Sequence, residues 1–339
     1  MRNHDPVQTK LHVWQALRKL ARAPLGEQTQ VARELFAPDA DYICAHPINQ
    51  MHGVDEIVER LLAPMKTAMP DLERRDDILL SGHYAGCDWV SATGYYFGTM
   101  QQDWLGLPAS RNWLYVRFGE FYKIDRGRVI DSYVLLDLVD VLRQLGVNPL
   151  PRGRGIETLC PGPATHDGLL LSPQDAAEGS RSLALVESMI FDGLQKYDQV
   201  SHDSIGMERF WDPDMMWYGP TGVGTTRGLA GFLDLHQYPW QEAFPDYKGG
   251  NHKSRIADGC YVASTGWPSI HGTHVGSNLF GLAGTGRPIT MRVMDWWRRE
   301  GDWLVENWIF VDFLDLLLQL DVDLLARARA LAAGGTASG

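Results

Sequence analysis

Two copies of one sequence unit follow each other along this chain. Pro38-Asp39 returns as Pro213-Asp214, and 213 − 38 = 175. The same offset carries Gly53 to Gly228, Pro70-Asp71 to Pro245-Asp246, Gly106-Leu107 to Gly281-Leu282 and Arg117 to Arg292. It still holds at the end of the unit, where Asp137, Asp140, Gln144, Leu145 and Val147 return as Asp312, Asp315, Gln319, Leu320 and Val322. There is a local slip where Thr93-Gly94 meets Thr265-Gly266 at an offset of 172 (265 − 93). A period of this length excludes a solenoid, whose units run to about 20 to 50 residues, so each copy must be a complete domain. The boundaries expected are 1–150 and 175–339, joined by a Pro- and Gly-rich strap over 151–174 that Leu169, Leu170 and Leu171 would anchor.

Within each copy helical patterning comes first. Leu11, Trp14, Leu17 and Leu20 recur at three-residue spacing, and Leu183, Val186, Ile190 and Leu194 make the matching stripe in the second copy, after a helix start at Ser172-Pro173-Gln174-Asp175. Another amphipathic helix follows Gly53. The remainder reads as strands: 89–97, 113–124 and 129–136, with 261–270, 289–298 and 303–311 in the second copy. Helices followed by consecutive strands predict an α+β domain whose antiparallel sheet curves around helices and leaves a pocket between them.

Composition narrows the function. With 31 Lys plus Arg against 42 Asp plus Glu the net charge is −11, which argues against nucleic acid as the partner. No apolar run reaches the roughly 18 residues of a membrane span, and the start Met1-Arg2-Asn3-His4-Asp5 is polar, so no membrane partner and a cytoplasmic location are expected. The 4 cysteines are scattered without a C-x-x-C pair, and neither a disulfide framework nor a cysteine metal site is implied.

The second copy contains Ala243-Phe244-Pro245-Asp246, His271-Gly272-Thr273-His274, Gly281-Leu282-Ala283-Gly284-Thr285-Gly286-Arg287-Pro288, and a close running from Trp308 through Asp312 to Gln319-Leu320. This succession resembles the SnoaL-like polyketide cyclase family of the nuclear-transport-factor-2-like superfold. The first copy is a weaker match, through Met69-Pro70-Asp71, Gly98-Thr99-Met100 and Asp137 to Gly146. The resemblance implies two tandem cone-shaped domains paired within one chain as a pseudo-dimer, with further self-assembly left open. It also implies proton transfer beside a substrate carbonyl by an Asp on the last strand, with no metal or cofactor. Asp312 occupies that position, and Asp137 is its counterpart.

The residues themselves allow two readings of Asp312. It shares strand parity with Trp308 and Phe310, and if those face a pocket so does its carboxylate. Equally, Asp-Phe-Leu-Asp ahead of an apolar run is a helix start, and Asp312 would then be its cap. The resemblance favours the catalytic reading for Asp312, with His274 assisting and Asp137 ranking lower, since the first copy has Met100 where the second has His274. Arg292 and Asp295 are candidates for substrate binding, against the more frequent outcome of an ion pair that fixes the sheet. Trp217, Tyr218, Trp240 and Trp308 are candidate walls of an apolar pocket, against ordinary core packing. The function expected is acid-base catalysis on a small or medium carbonyl compound: isomerisation, aldol-type cyclisation or lyase chemistry. A metabolite-binding or regulatory protein and a hydrolase using Asp-activated water are the alternatives.

Overall fold

The computed structural model describes residues 6–276 and 280–334, and the polar start 1–5 lies outside them. The chain forms two compact units. In the first, helices α1 (Pro6–Arg22) and α2 (Gln28–Leu35) lead into strand β1 (Phe36–Cys44) and a short β2 (Gln50–His52). Helix α3 (Gly53–Ile57) continues through one π-helical turn at Val58–Leu62 into α4 (Ala63–Ala68). Four long strands follow, β3 (Glu73–Tyr84), β4 (Cys87–Thr99), β5 (Trp113–Asp125) and β6 (Arg128–Leu136), and α5 (Leu138–Gln144) ends the copy. The α1 stripe buries Val13, Leu17 and Leu20, as a 3.6-residue period requires of a helix lying on a sheet.

The sheet order is β2-β1-β6-β5-β4-β3. Neighbours are antiparallel except β1 and β6, which run parallel, so the sheet is mixed and not purely antiparallel as expected. The reason lies in the connections: β3–β4 and β5–β6 are joined by tight turns and β4–β5 by the loop 100–112, whereas β1 is followed by the helical segment α3–α4 before the rest of the sheet, which frees its direction relative to β6. Pro38-Asp39 lies inside β1 where the register shifts between Phe36 and Asp41. Proline donates no ladder hydrogen bond, and an irregularity of this kind accommodates it.

The second unit repeats the plan. Helix α6 (Ala176–Ser188) comes first, capped by the Asp175 side chain on the Ala177 N–H. Strands β7 (Trp211–Tyr218) and β8 (Thr226–Arg227) follow, then α7 (Gly228–Phe232), a π-helical turn at Leu233–Gln237 and α8 (Tyr238–Ala243). The sheet is completed by β9 (Lys248–Gly249), β10 (His252–Asp258), β11 (Tyr261–His274), β12 (Arg287–Glu300) and β13 (Trp303–Val311), before α9 (Phe313–Leu318). Its order is β10-β11-β12-β13-β7-β8, with β13 and β7 parallel. Val186 and Met189 from the helical side pack with Trp217, Val262 and Trp297 from the sheet, which fixes the inner, helix-covered face of β12 as that of Trp297 and Asp295.

The units are not consecutive in sequence. Leu150–Ala164 belongs with the second, whereas 165–173 and 323–334 belong with the first, so no separate strap spans 151–174 and the last helix, α10 (Leu324–Ala332), does not belong with the second domain. On β3, the edge strand of the first sheet, Leu79 donates its N–H to the Gly168 carbonyl and accepts from the Leu170 N–H, which anchors this part of the segment. Ile156 exchanges two backbone bonds with Thr225, beside the β8 edge of the second. Exposed strand edges present unpaired backbone groups, and the segment covers part of both. In α10, Arg329 donates through Nε and Nη2 to the Leu105 carbonyl, against Gly106 at φ +75°.

Candidate active site

Strand pairing sorts the expected residues by face. Across the second sheet Arg255, Ser264, Asp295 and Ile309 lie directly opposite one another, and Trp217, Asn307, Trp297 and Val262 form the adjoining row. Because Trp217, Val262 and Trp297 belong to the helix-packed core, both rows face inward. Trp308, Phe310, Trp296 and Arg292 have the other parity and face outward. Trp296 meets Phe310 edge-on at 5.6 Å, and Trp308 stacks on Tyr218 at 5.2 Å while donating its Nε1–H to the Pro161 carbonyl at 2.8 Å. Tyr218 donates its hydroxyl to Glu306, which also holds Arg298 at 2.5 Å. Trp308 and Tyr218 therefore wall no inner pocket; the 150–164 segment covers them.

Asp312 does share the parity of Trp308 and Phe310, and that parity takes it away from the helix-covered face. Its Oδ1 accepts the Asp315 N–H and caps α9, and its Oδ2 pairs with Arg292 Nη1 at 2.9 Å. Arg292 Nη2 reaches Asp315 at 3.0 Å, and the guanidinium lies 5.0 Å from the Trp267 ring centroid. Asp312 and Arg292 are thus brought together as helix cap and counter-charge on the outer side. Asp137 caps α5 in the same way, on the Asp140 N–H. Burial, and next the Asp137 charge, push the Asp140 carboxyl up to about 7, with Arg117 opposing.

Asp295 and Trp217 both lie on the inner side, and Trp240 is linked to Trp217 through His236. Asp295 is half-buried and accepts from the Asn307 amide at 3.2 Å. Burial pushes its carboxyl up to about 7, while the Asn307 hydrogen bond and the Arg255 charge pull it down. On the helical side the π-turn presents His236, which stacks on Trp217 with centroids 4.1 Å apart and lies against Phe232 and Trp240. From Trp240 the rings continue through Phe244, at 4.9 Å, to His274, at 5.6 Å. His274 is fully buried, with Nδ1 3.2 Å from the Thr285 hydroxyl and Nε2 without a hydrogen-bond partner among the described residues. Burial lowers its pKa. It stands at one end of a line of rings that runs through Phe244, Trp240 and His236 to Trp217.

Four residues of this inner side escape the sequence reading: His236, His252, Arg255 and Asn307. His252, which reads as a loop residue, begins β10, and its Nε2 lies 3.4 Å from the Ser264 hydroxyl. Burial and the Arg255 charge lower its pKa to about 4, and burial lowers that of His236 to about 3, so both imidazoles are neutral at pH 7. The repeat carries the signal for two of them: His236 replaces Leu61 at the 175 offset, and Asn307 replaces Ser132. Arg255 takes the place of Leu79 on the edge strand, visible only once Thr265 is paired with Ser254 as Thr93 is with Ile78.

The first unit has an acid at the equivalent position, Glu120, but it is engaged. Fully buried, it pairs with Arg74 at 2.6 Å and accepts from the Tyr96 hydroxyl at 2.8 Å. Arg74 also pairs with Asp76 at 2.7 Å, to which Trp14 donates. Burial raises the Glu120 pKa and Arg74 opposes this. A cavity with about 390 Å³ of empty space, mouth included, lies beside this network between Leu20, Tyr42, Met65, Leu72 and Tyr122.

Among the described residues no helix is long and apolar enough to cross a membrane. Solved structures similar to this chain include a SnoaL-like polyketide cyclase described as putative from Jannaschia sp. CCS1 (18% identity, 43% of this chain and 97% of that chain, TM-score 0.35). AclR, titled a putative hydroxylase, from Streptomyces galilaeus (23%, 42% and 97%, TM-score 0.35), and IdmH, titled a putative polyketide cyclase, from Streptomyces antibioticus (25%, 42% and 99%, TM-score 0.29), are others. No curated protein matches the chain. The model of the SnoaL-like polyketide cyclase family matches residues 15–145 and again 192–320, and the chain belongs to that family as a tandem of two such domains.

Proposed function

We propose that the second unit catalyses cofactor-independent proton transfer on an enolisable carbonyl compound, with Asp295 and not Asp312 as the proton carrier. The observation that carries this reading is the setting of Asp295: an inner-face carboxyl on the same face of β12 as Trp297, held by Asn307 and pushed up to about 7. A carboxylate so placed is a stronger base than one in water and still deprotonates near neutrality, the compromise that general-base catalysis requires. Trp217, Trp240 and Trp297 exclude water around the developing enolate. Neutral His236 and His252 offer hydrogen bonds without adding charge. Isomerisation, aldol-type closure and the reverse cleavage all begin with this proton abstraction.

The first unit favours a different reading. Both Glu120 oxygens are engaged, one by Arg74 and the other by Tyr96, so the first domain serves as a scaffold or binds a ligand without turning it over. The test is a mass-spectrometric comparison of a metabolite extract after incubation with wild type, Asp295→Asn and Asp312→Asn, all confirmed as folded. A compound consumed by wild type and Asp312→Asn and spared by Asp295→Asn is the expected result. Consumption by Asp295→Asn at the wild-type rate would overturn the assignment.

A further inference from the structure

Arg255 stands in the same inward row as Asp295, with Ser264 between them. Two strand spacings of about 4.8 Å separate their backbones by roughly 10 Å, enough for a few substrate atoms between the side chains. The Arg255 side chain is only 9% exposed. Its Nη1 donates to Glu187 on α6 at 3.2 Å, and its guanidinium lies 5.2 Å from the Phe191 ring centroid. Its Nε is buried with no hydrogen-bond partner among the described residues. A buried cation with an unmet donor is costly, and its unmet side marks where an acceptor belongs.

With Nη1 on Glu187, the edge left is the one formed by Nε and Nη2. These N–H groups are parallel and coplanar, the arrangement that receives two oxygens side by side. We propose that this edge of Arg255 binds the two oxygens of a 1,3-dicarbonyl substrate, placing the carbon between its carbonyls toward Asp295. The proposal rests on the reading of Asp295 as the base. In the step, the C–H bond between the carbonyls breaks, its proton passes to the Asp295 carboxylate, and its electron pair spreads onto the two carbonyl oxygens. The negative charge leaves Asp295 and arrives on oxygens facing Arg255, so the cation stabilises the enolate more than the neutral substrate. The class also suits the base, because two flanking carbonyls acidify the C–H within reach of a carboxylate poised near neutrality. In the first unit the equivalent row reads Leu79, Ala92 and Glu120, with no cation opposite the acid along it.

The experiment uses 2,4-pentanedione as probe, with the full chain, reading binding by isothermal titration calorimetry and exchange of the central protons with deuterated solvent by NMR. Arg255→Gln should weaken binding at least about tenfold, as loss of a charged hydrogen-bond partner does. Arg255→Lys, which keeps the charge and loses the flat edge, should fall between. Glu187→Gln removes the same ion pair and leaves Arg255 in place, and should bind at least as tightly as wild type. Asp295→Asn should keep the probe and lose catalysed exchange of its central proton, so a failure of the base assignment appears in exchange and a failure of the Arg255 assignment in binding. Wild-type affinity in Arg255→Gln, or an equal loss in Glu187→Gln, would overturn the proposal, as would absence of binding to wild type at millimolar probe.

Discussion

Asp312 meets an arginine and a helix N-terminus, whereas Asp295, on the neighbouring strand, meets an amide. The two side chains are chemically identical, so their effects on stability differ in sign through their surroundings alone. Asp312→Ala removes a cap and leaves Arg292 short of a partner, and should cost about 2 to 4 kcal/mol. For Asp295 the folded pKa of about 7 lies above the ordinary carboxylate value of 3.8. Its contribution is therefore fully present below about pH 4 and is lost as pH rises through 7. Asp295→Asn escapes that loss, and above pH 7 its second unit should be more stable than wild type by an amount on the order of 2 kcal/mol. Urea denaturation of both variants at pH 5 and pH 8 measures each effect. Asp295→Asn should gain over wild type between the two pH values, and Asp312→Ala should be the less stable at both.

At the scale of elements, the helix carrying His236 is the part of the site that sequence patterning renders least well. A π-turn adds a residue to the helical repeat, so side chains past Leu233 leave the faces that a regular 3.6-residue stripe assigns them. The strands are more legible. Alternation sorts the residues of each strand, Trp217 and Asp295 among them, between two faces, but period 2 gives parity only, and which parity faces the helices depends on packing. Trp308, Tyr218 and Arg292, expected at the pocket, lie on the outer face for that reason. His236 is a buried imidazole where the first copy has Leu61. Its folded pKa of about 3 is below the ordinary 6.5, so stability is lost as pH falls from 6.5 toward 3, where the unfolded chain binds a proton that the folded one resists. His236→Leu should make the second unit more resistant to acid, with the gain appearing below pH 6.5 and little change at pH 8, as acid unfolding followed by tryptophan fluorescence would show.

For the whole molecule, the repeat makes the duplication and the α+β class readable at once, because one offset ties distant residues into equivalent positions. It does not reveal that the two interiors differ in how their acids are used. Glu120 and Asp295 align at 175, yet one is neutralised by Arg74 and the other is left with an amide, and Arg74 itself comes from a strand that the second copy enters with His252. The ends of the domains also escape pattern reading, since 165–173 joins the first unit through backbone bonds to Leu79 and 323–334 through the Arg329 side chain on the Leu105 carbonyl, neither of which carries periodicity. Duplication left two interiors of one plan and unequal chemistry, and the ionisation of Asp295 is where that inequality is most directly measured. Carbon-13 NMR titration of the aspartate carboxyls, with the Asp295 signal assigned by its loss in Asp295→Asn, reads it without needing a substrate. A midpoint near 7 is the result predicted; a midpoint near 4 would mean that Asp295 is solvated like a surface carboxylate, and the second unit would lose its base.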